Sequence, residues 1–141
     1  LKKIRLNPDI SAARRQAEIL LKQYGHPPTN RIRSQQDFAA IYEARQRAGD
    51  QNLLLFAIRN SLGHSRLGVS VSKKNGNAIL RARKKRLLRE AFRLIRHRLP
   101  TNLDLIAIPR PDVDGDLKAY QQSFQRLTRK LDQRLPAVER P

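Results

Sequence analysis

Apolar residues recur along this chain with two different periods, and the switches between them mark out the elements. Over residues 7–24, Ile10, Ala13, Ala17, Leu20 and Tyr24 return every three or four positions, the spacing of one helical face. Asn7 can cap this helix and Pro8 fits its first position, while Gly25 and "HPPTN" end it and make residues 25–30 a linker. A second helix is expected from Ser34, with Asp37 as its capping partner, through "DFAAIYEARQR" until Gly49-Asp50 closes it. "LLLFAI" (53–58) reads as a buried strand followed by a turn around "NSLGHS". In "RLGVSVS" (66–72) the period is two. Leu67, Val69 and Val71 point one way, and the small set Gly68, Ser70 and Ser72 points the other.

That strand runs through the loop "KKNGN" into a long helix. A further strand, "LDLIAI" (103–108), is stopped by Pro109 and Pro111. The last helix is expected from about Asp116 to Leu135, with Leu117, Tyr120, Phe124, Leu127 and Leu131 as its core stripe. The order is helix, strand, strand, helix, strand, helix, behind an extra N-terminal helix. This is a mixed α/β layer architecture.

Charge changes the picture at the long helix. From Arg81 to Arg98, nine of eighteen residues are Lys or Arg and Glu90 is the sole acid. Projected at 100° per residue, Leu80, Leu87, Leu88, Ala91, Leu94, Ile95 and Leu99 share one broad arc, with Phe92 at its edge. Arg81, Lys85, Arg89, Arg93 and Arg96 form a stripe about a third of a turn away; Arg86 widens it and Arg83 flanks it. The apolar arc should hold the helix to the domain and the cationic ridge should face out. Like charges at i and i+4 repel, so the ridge calls for a partner of opposite sign.

The whole chain is basic as well. Its 141 residues carry a formal net charge of +18, and discounting residues 81–98 still leaves +10. A sequence pI near 11.5 is the footprint of a nucleic-acid binder. The 39% hydrophobic content can fill a modest core, so the chain need not be a disordered basic tail. With no Cys there are no disulfides or thiolate metal sites. No apolar run approaches the roughly 18 residues of a membrane span, and no secretory signal is present. The sequence starts at Leu1 and holds no Met, which suggests that the true N-terminus lies outside it; a cytoplasmic protein is expected.

Candidate chemistry is sparse. His26, His64 and His97 fall in a linker, a turn and the basic helix, without ligand spacing. "DVDGD" (112–116) has its Gly at the fourth position and Ser123 where a calcium loop needs Glu, so a helix-capping turn is expected instead. "KKNGNA" lacks the glycine spacing of a phosphate loop. Phe38 and Tyr42, four residues apart, lie one above the other on their helix. They are open to two readings, core packing or a stacking platform for unpaired bases. The residues alone thus describe a basic α/β domain that binds nucleic acid.

The run "SRLGVSVSKKNGNAILRARKKRLLREAFR" (65–93) strongly resembles the protein subunit of bacterial ribonuclease P. "RIRSQQDFAAIY" (31–42) resembles that family's first helix and "LDLIAIPR" (103–110) its last strand, so the likeness spans roughly residues 31–135. It implies a ribonucleoprotein that removes the 5′ leader of precursor tRNA, with chemistry carried by a catalytic RNA and no catalytic residue on the protein. Its cofactors would be that ribonuclease P RNA and Mg²⁺, the latter held mainly by the RNA and substrate. Its partners would be the RNA and the precursor tRNA leader, with no membrane and no obligate protein partner.

The implied fold is an α+β sandwich, a small mixed sheet with helices packed on it, like the second domain of a small-subunit ribosomal protein, with a left-handed βαβ crossover. The implied domains are an N-terminal helical extension and linker (1–30), the RNA-binding domain (31–135) and a C-terminal tail (136–141). By resemblance, Arg81, Arg83, Lys85, Arg86, Arg89 and Arg93 face the RNA subunit. Phe38, Tyr42, Phe56, Ser70, Ser72, Lys73 and Arg110 line a cleft for the leader, and Lys74 belongs to the same basic surface. Two positions depart from the family pattern. Ala82 replaces the Asn of an Arg-Asn-Arg motif, and a methyl neither donates nor accepts a hydrogen bond; Pro109 stands where the family prefers Ala. The N-terminal helix lies outside the resemblance. The competing readings are a ribosomal-type structural RNA-binding protein, a duplex-DNA binder reading with residues 81–98, and, weakest, a protein-only nuclease.

Overall fold

The computed structural model describes residues 30–136. The expected helix at 7–24 and residues 137–141 lie outside the described residues. Ser34 caps α1 (Gln35–Glu43), its Oγ accepting from the Asp37 N–H at 3.2 Å. The helix ends earlier than its periodicity suggests, because Arg45 turns into the left-handed region at φ 56°. In place of the last turn of the expected helix there is a short strand, β1 (Arg47–Gly49). The physical reason is long-range: Ala48 is drawn into the core by pairing with Leu55 of β2 (Leu53–Arg59).

The remaining elements are β3 (Arg66–Val69), α2 (Ala78–Ile95), β4 (Leu103–Pro109) and α3 (Leu117–Arg134), with short 3₁₀ turns at Lys73–Asn75 and Arg96–Arg98. The sheet order is β1-β2-β4-β3. β2 runs antiparallel to both β1 and β4, from Leu53 opposite Pro109 to Arg59 opposite Leu103. β3 is parallel to β4, as a strand–helix–strand crossover through α2 requires. This α+β architecture, a mixed four-stranded sheet with three helices, is the expected one. β3 is shorter than the alternation suggested: Ser70 N–H still reaches the Ala107 carbonyl at 3.0 Å, after which the chain turns at Ser72.

Both faces of the sheet are covered, which explains why "LLLFAI" and "LDLIAI" are unbroken apolar runs rather than alternating ones. Leu53, Leu55, Ala57, Leu103, Leu105 and Ala107 pack under α2 and α3, against Leu88, Ala91, Phe92, Ile95, Tyr120, Phe124, Leu127 and Leu131. Phe56 and Ile106 face the opposite way and join Ile32 and Ile41 beneath α1. Phe92 and Phe124 meet edge-on at 5.8 Å and join α2 to α3. Phe92 is thus central to the core, whereas Leu80 and Leu94, expected in the apolar arc, remain exposed. Both lie toward the borders of a broad arc, which the sheet covers only along its middle.

Caps set the start of both long helices. Asn77 Oδ1 accepts from the Leu80 N–H at 3.0 Å, and Asp116 Oδ1 accepts from the Ala119 N–H at 2.7 Å. "DVDGD" therefore ends in a helix cap, as expected. Gly76 adopts φ 116°, and a Cβ there would lie 2.8 Å from Leu80 Cδ1, so only glycine suits the bend into α2.

Candidate nucleic-acid interface

The ridge on α2 is positioned by its opposite side. With Leu88, Ala91 and Ile95 buried, Arg83 and Arg86 are exposed and Arg81, Lys85 and Arg89 are half-buried. Among the described residues, no carboxylate comes within ion-pair distance of these five. Arg93 differs, because it pairs with Glu90 one turn back, in a contact that holds the Glu90 carboxyl below its ordinary range and raises Arg93. Arg89 is shifted the other way. Burial lowers its affinity for the proton, and the charges of Arg31 and Arg33 lower it further. Arg81, Arg83, Lys85, Arg86 and Arg89 are therefore a run of mutually repelling cations that no carboxylate among the described residues neutralises.

The α1 side of the sheet has a different character. Phe38, Tyr42 and Phe56 form a row, with ring centroids 6.3 Å apart for Phe38–Tyr42 and 5.0 Å, edge-on, for Tyr42–Phe56. Phe56 is buried, while Phe38 and Tyr42 rest on the lower core yet stay half-exposed. The two readings of this pair therefore converge: one side of each ring packs, and part of each remains available to a ligand. The Phe38 ring lies over Gly68, where a Cβ would come within 2.7 Å of Cζ. The small face of β3 thus admits an aromatic from α1 and then continues past half-buried Ser70 to exposed Ser72 and Lys73. At the other end of the row, an open cavity of about 420 Å³ is lined by Tyr42, Arg45, Arg47 and Phe56.

Comparison with known proteins gives the family. The family profile described as Ribonuclease P matches residues 27–134. The chain belongs to the ribonuclease P protein family. It is 32% identical over 103 residues to the ribonuclease P protein component of Alkaliphilus metalliredigens, covering 72% of this chain and 93% of that one. It is 37% identical over 106 residues to the component from Escherichia coli O139:H28, covering 74% and 88%. The fold is similar to the RNase P protein of Staphylococcus aureus, with a TM-score of 0.61, 32% identity and coverage of 73% and 94%. The Thermotoga maritima RNase P protein gives 0.60 at 27% identity, covering 68% and 96%.

Within this family framework most of the expected site residues fall into two groups, but Arg110 stands apart. Its Nε donates to the Asp50 carbonyl at 3.2 Å, and its guanidinium lies against Gly49 on β1. That is three strand spacings, roughly 14 Å, from β3. Its side chain is therefore not brought together with Ser70, Ser72 and Lys73. Ala82 is exposed, so the position usually held by Asn in the family faces outward with only a methyl.

Two features went unread in the sequence. Lys84 looks like one more ridge cation, yet its Nζ donates to Asn75 Oδ1 at 2.7 Å and to the carbonyls of Arg110 and Val113 at 3.3 Å. Asn75 Nδ2 in turn donates to the Ser72 carbonyl at 3.1 Å, so Lys84 sets the turn that carries Lys73. The available signal was its place four residues before Leu88, on the inner face of the helix. The second feature is "RIR" at 31–33, an alternation that marks a short extended segment. Arg31 bridges to Leu67, and the Ile32 N–H reaches the Leu67 carbonyl at 3.0 Å, which extends the sheet past β3.

Proposed function

We propose that this protein is the RNA-binding component of a ribonuclease P ribonucleoprotein that matures the 5′ end of tRNA. The observation that carries the reading is the uncompensated ridge on α2 in a chain of this family. In this reading Arg81, Arg83, Lys85, Arg86 and Arg89 neutralise phosphates of the catalytic RNA, while Arg93 contributes less because Glu90 already holds it. Residues 31–135 are the RNA-binding unit. The half-exposed rings of Phe38 and Tyr42, with Phe56 behind them, stack unpaired bases of the 5′ leader. Ser70, Ser72 and Lys73 guide its backbone along β3. Arg110 acts at the β1 side of the same face.

The protein's part in the reaction is to hold and orient. Bringing the leader and the catalytic RNA into one assembly lowers the entropy cost of reaching the reactive geometry. In this reading the Mg²⁺ of the reaction is held mainly by the RNA and substrate. Among the described residues, no helix is long and apolar enough to cross a membrane.

The test is cleavage of a 5′-labelled precursor tRNA at low Mg²⁺ by a bacterial ribonuclease P RNA, with and without this protein, and by the protein alone. Stimulated cleavage at the mature 5′ end in the combined reaction, with none from the protein alone, is expected. Binding to the RNA with equal affinity for precursor and mature tRNA and no stimulation would replace this reading with a ribosomal-type structural role.

A further inference from the structure

Arg110 is held at its root and along its stem, yet its charge is left uncompensated. Prolines flank it at positions 109 and 111, and a residue before proline is confined to extended backbone. Its N–H donates to the Asn52 carbonyl at 2.9 Å, and its Nε donates to the Asp50 carbonyl at 3.2 Å. Both acceptors are neutral, so they orient the residue without cancelling its charge. The Asp50 carboxylate is directed elsewhere. Its Oδ1 accepts from the Asn52 and Leu53 N–H groups at 2.8 and 2.9 Å, and its Oδ2 accepts from Arg126 of α3 at 2.6 Å. Among the described residues no carboxylate lies within 4.0 Å of the Arg110 guanidinium.

Gly49 completes the arrangement. Ala48 is buried under α2 and α3, so by strand alternation Gly49 belongs to the opposite face, in register with Leu54 and, beyond it, Ile108. A Cβ at Gly49 would lie 2.6 Å from Arg110 Nη2 and 3.3 Å from Leu54 Cδ1. The guanidinium therefore occupies the space that any other residue at this position would fill with its side chain. Gly49 is not one of the glycines in the left-handed region, so the missing side chain, and not backbone freedom, is what this site uses.

We propose that Gly49 and the Asp50 carbonyl are positioning elements for Arg110, seating its guanidinium on β1 and setting its charge in advance toward the single-stranded 5′ leader. The inference rests on the RNA-binding reading, in which Arg110 acts at the β1 side of the cleft, and deepens it by naming what holds that residue. A free arginine loses rotamer entropy when it binds, whereas a seated one has already lost it on folding. The planar fork suits both tasks, because Nε serves the protein while Nη1 and Nη2 remain for the ligand.

The experiment is single-turnover cleavage of precursor tRNA by the full chain assembled with a bacterial ribonuclease P RNA, with mature tRNA as inhibitor. Half-saturation reports precursor binding, the plateau rate reports chemistry, and inhibition reports binding of tRNA without a leader. Gly49→Ala should raise half-saturation roughly fivefold, the effect of having to immobilise one freed arginine, with plateau rate and inhibition unchanged. Its Tm should move by no more than about 4 °C, as for a change at an exposed position. Arg110→Gln should raise half-saturation about tenfold. Adding Gly49→Ala to it should have no further effect, because the seat then holds nothing. Arg110→Lys keeps the charge but replaces the Nε–H by a methylene, so it should fall with Gly49→Ala and not with the wild type.

Wild-type half-saturation in either Gly49→Ala or Arg110→Lys would mean that charge alone acts and would overturn the seat. Additive losses in the double variant would give Gly49 a separate role and would also overturn it. An equal loss of inhibition by mature tRNA, or weakened assembly with the ribonuclease P RNA, would overturn the assignment of the seated charge to the leader. Should Gly49→Ala fail to fold, Arg110→Lys decides alone by the same criterion. Failure of the RNA-binding reading has a different signature, a wild-type chain that never stimulates cleavage, and takes this proposal with it.

Discussion

Lys84 separates what charge suggests from what the structure shows, so Lys84→Met is the informative change. Methionine keeps most of the stem and its packing but removes the ammonium. Three acceptors lose their donor: Asn75 Oδ1 at 2.7 Å and the carbonyls of Arg110 and Val113 at 3.3 Å. The short contact carries most of the energy, and the two long ones contribute less because they sit at the limit of hydrogen-bond geometry. Hydrogen bonds to charged groups are worth about 1.5–3 kcal/mol. Partial exposure of this site argues for the lower end, about 1.5 kcal/mol. For a domain of about 100 residues this corresponds to a fall of roughly 6–12 °C in Tm. Urea unfolding should show a lower midpoint at unchanged m-value. The salt slope for RNA binding should stay the same, because the ammonium faces inward. A variant of unaltered stability whose salt slope falls by about one phosphate would refute the structural role and make Lys84 a cation of the RNA-facing ridge.

Further outcomes follow from the same geometry. Replacing Arg86 and Arg89 together with Ala should leave Tm nearly unchanged and weaken assembly with ribonuclease P RNA, reducing the salt slope by about 1.5; filter binding across a salt series measures this. Gly68→Ala should cost about 1–3 kcal/mol by urea denaturation, because its methyl meets Phe38 Cζ at 2.7 Å. The same change should reduce preference for leader-bearing tRNA, since the ring is displaced. Asp50 gives a pH signature. Burial alone would raise its carboxyl, but hydrogen bonds from Ser123, the Leu53 and Asn52 N–H groups and Arg126 outweigh this and hold it below its ordinary value. A depressed folded value means that its stabilisation is complete above about pH 4 and is lost as pH falls through the depressed value. Urea midpoints from pH 6 down to 2.5 should therefore drop less steeply in Asp50→Asn than in the wild type.

The elements with a strong local signature were legible in the sequence. The apolar stripe of α3, the buried strands β2 and β4, and the caps Ser34 and Asp116 rest on spacing and side-chain chemistry within a few residues. The family was legible for the same reason, since its motifs are contiguous. β1 was not, because "RQRAG" has no strand pattern of its own and becomes extended only by pairing with β2. The candidate site divided along the same line. The ridge on α2 was readable from helical periodicity, whereas the seat of the Arg110 side chain against Gly49, across the sheet from Ser70, Ser72 and Lys73, was not. Arg93, expected on the free ridge, is tied to Glu90, and the ties of Lys84 to the Arg110 and Val113 carbonyls depend on segments distant in sequence.

What this sequence determined by itself was therefore the inventory: a strongly basic chain, a helix with one apolar and one cationic side, a small-residue strand face, and an aromatic pair on α1. Those follow from composition and from the fixed periods of helix and strand. Tertiary structure decided which cations remain uncompensated, that Phe38 lies over Gly68, and that Lys84 reaches the Arg110 and Val113 carbonyls. Each depends on segments distant in sequence being brought together by burial of the two cores, and local periodicity carries no information about the partner across that distance.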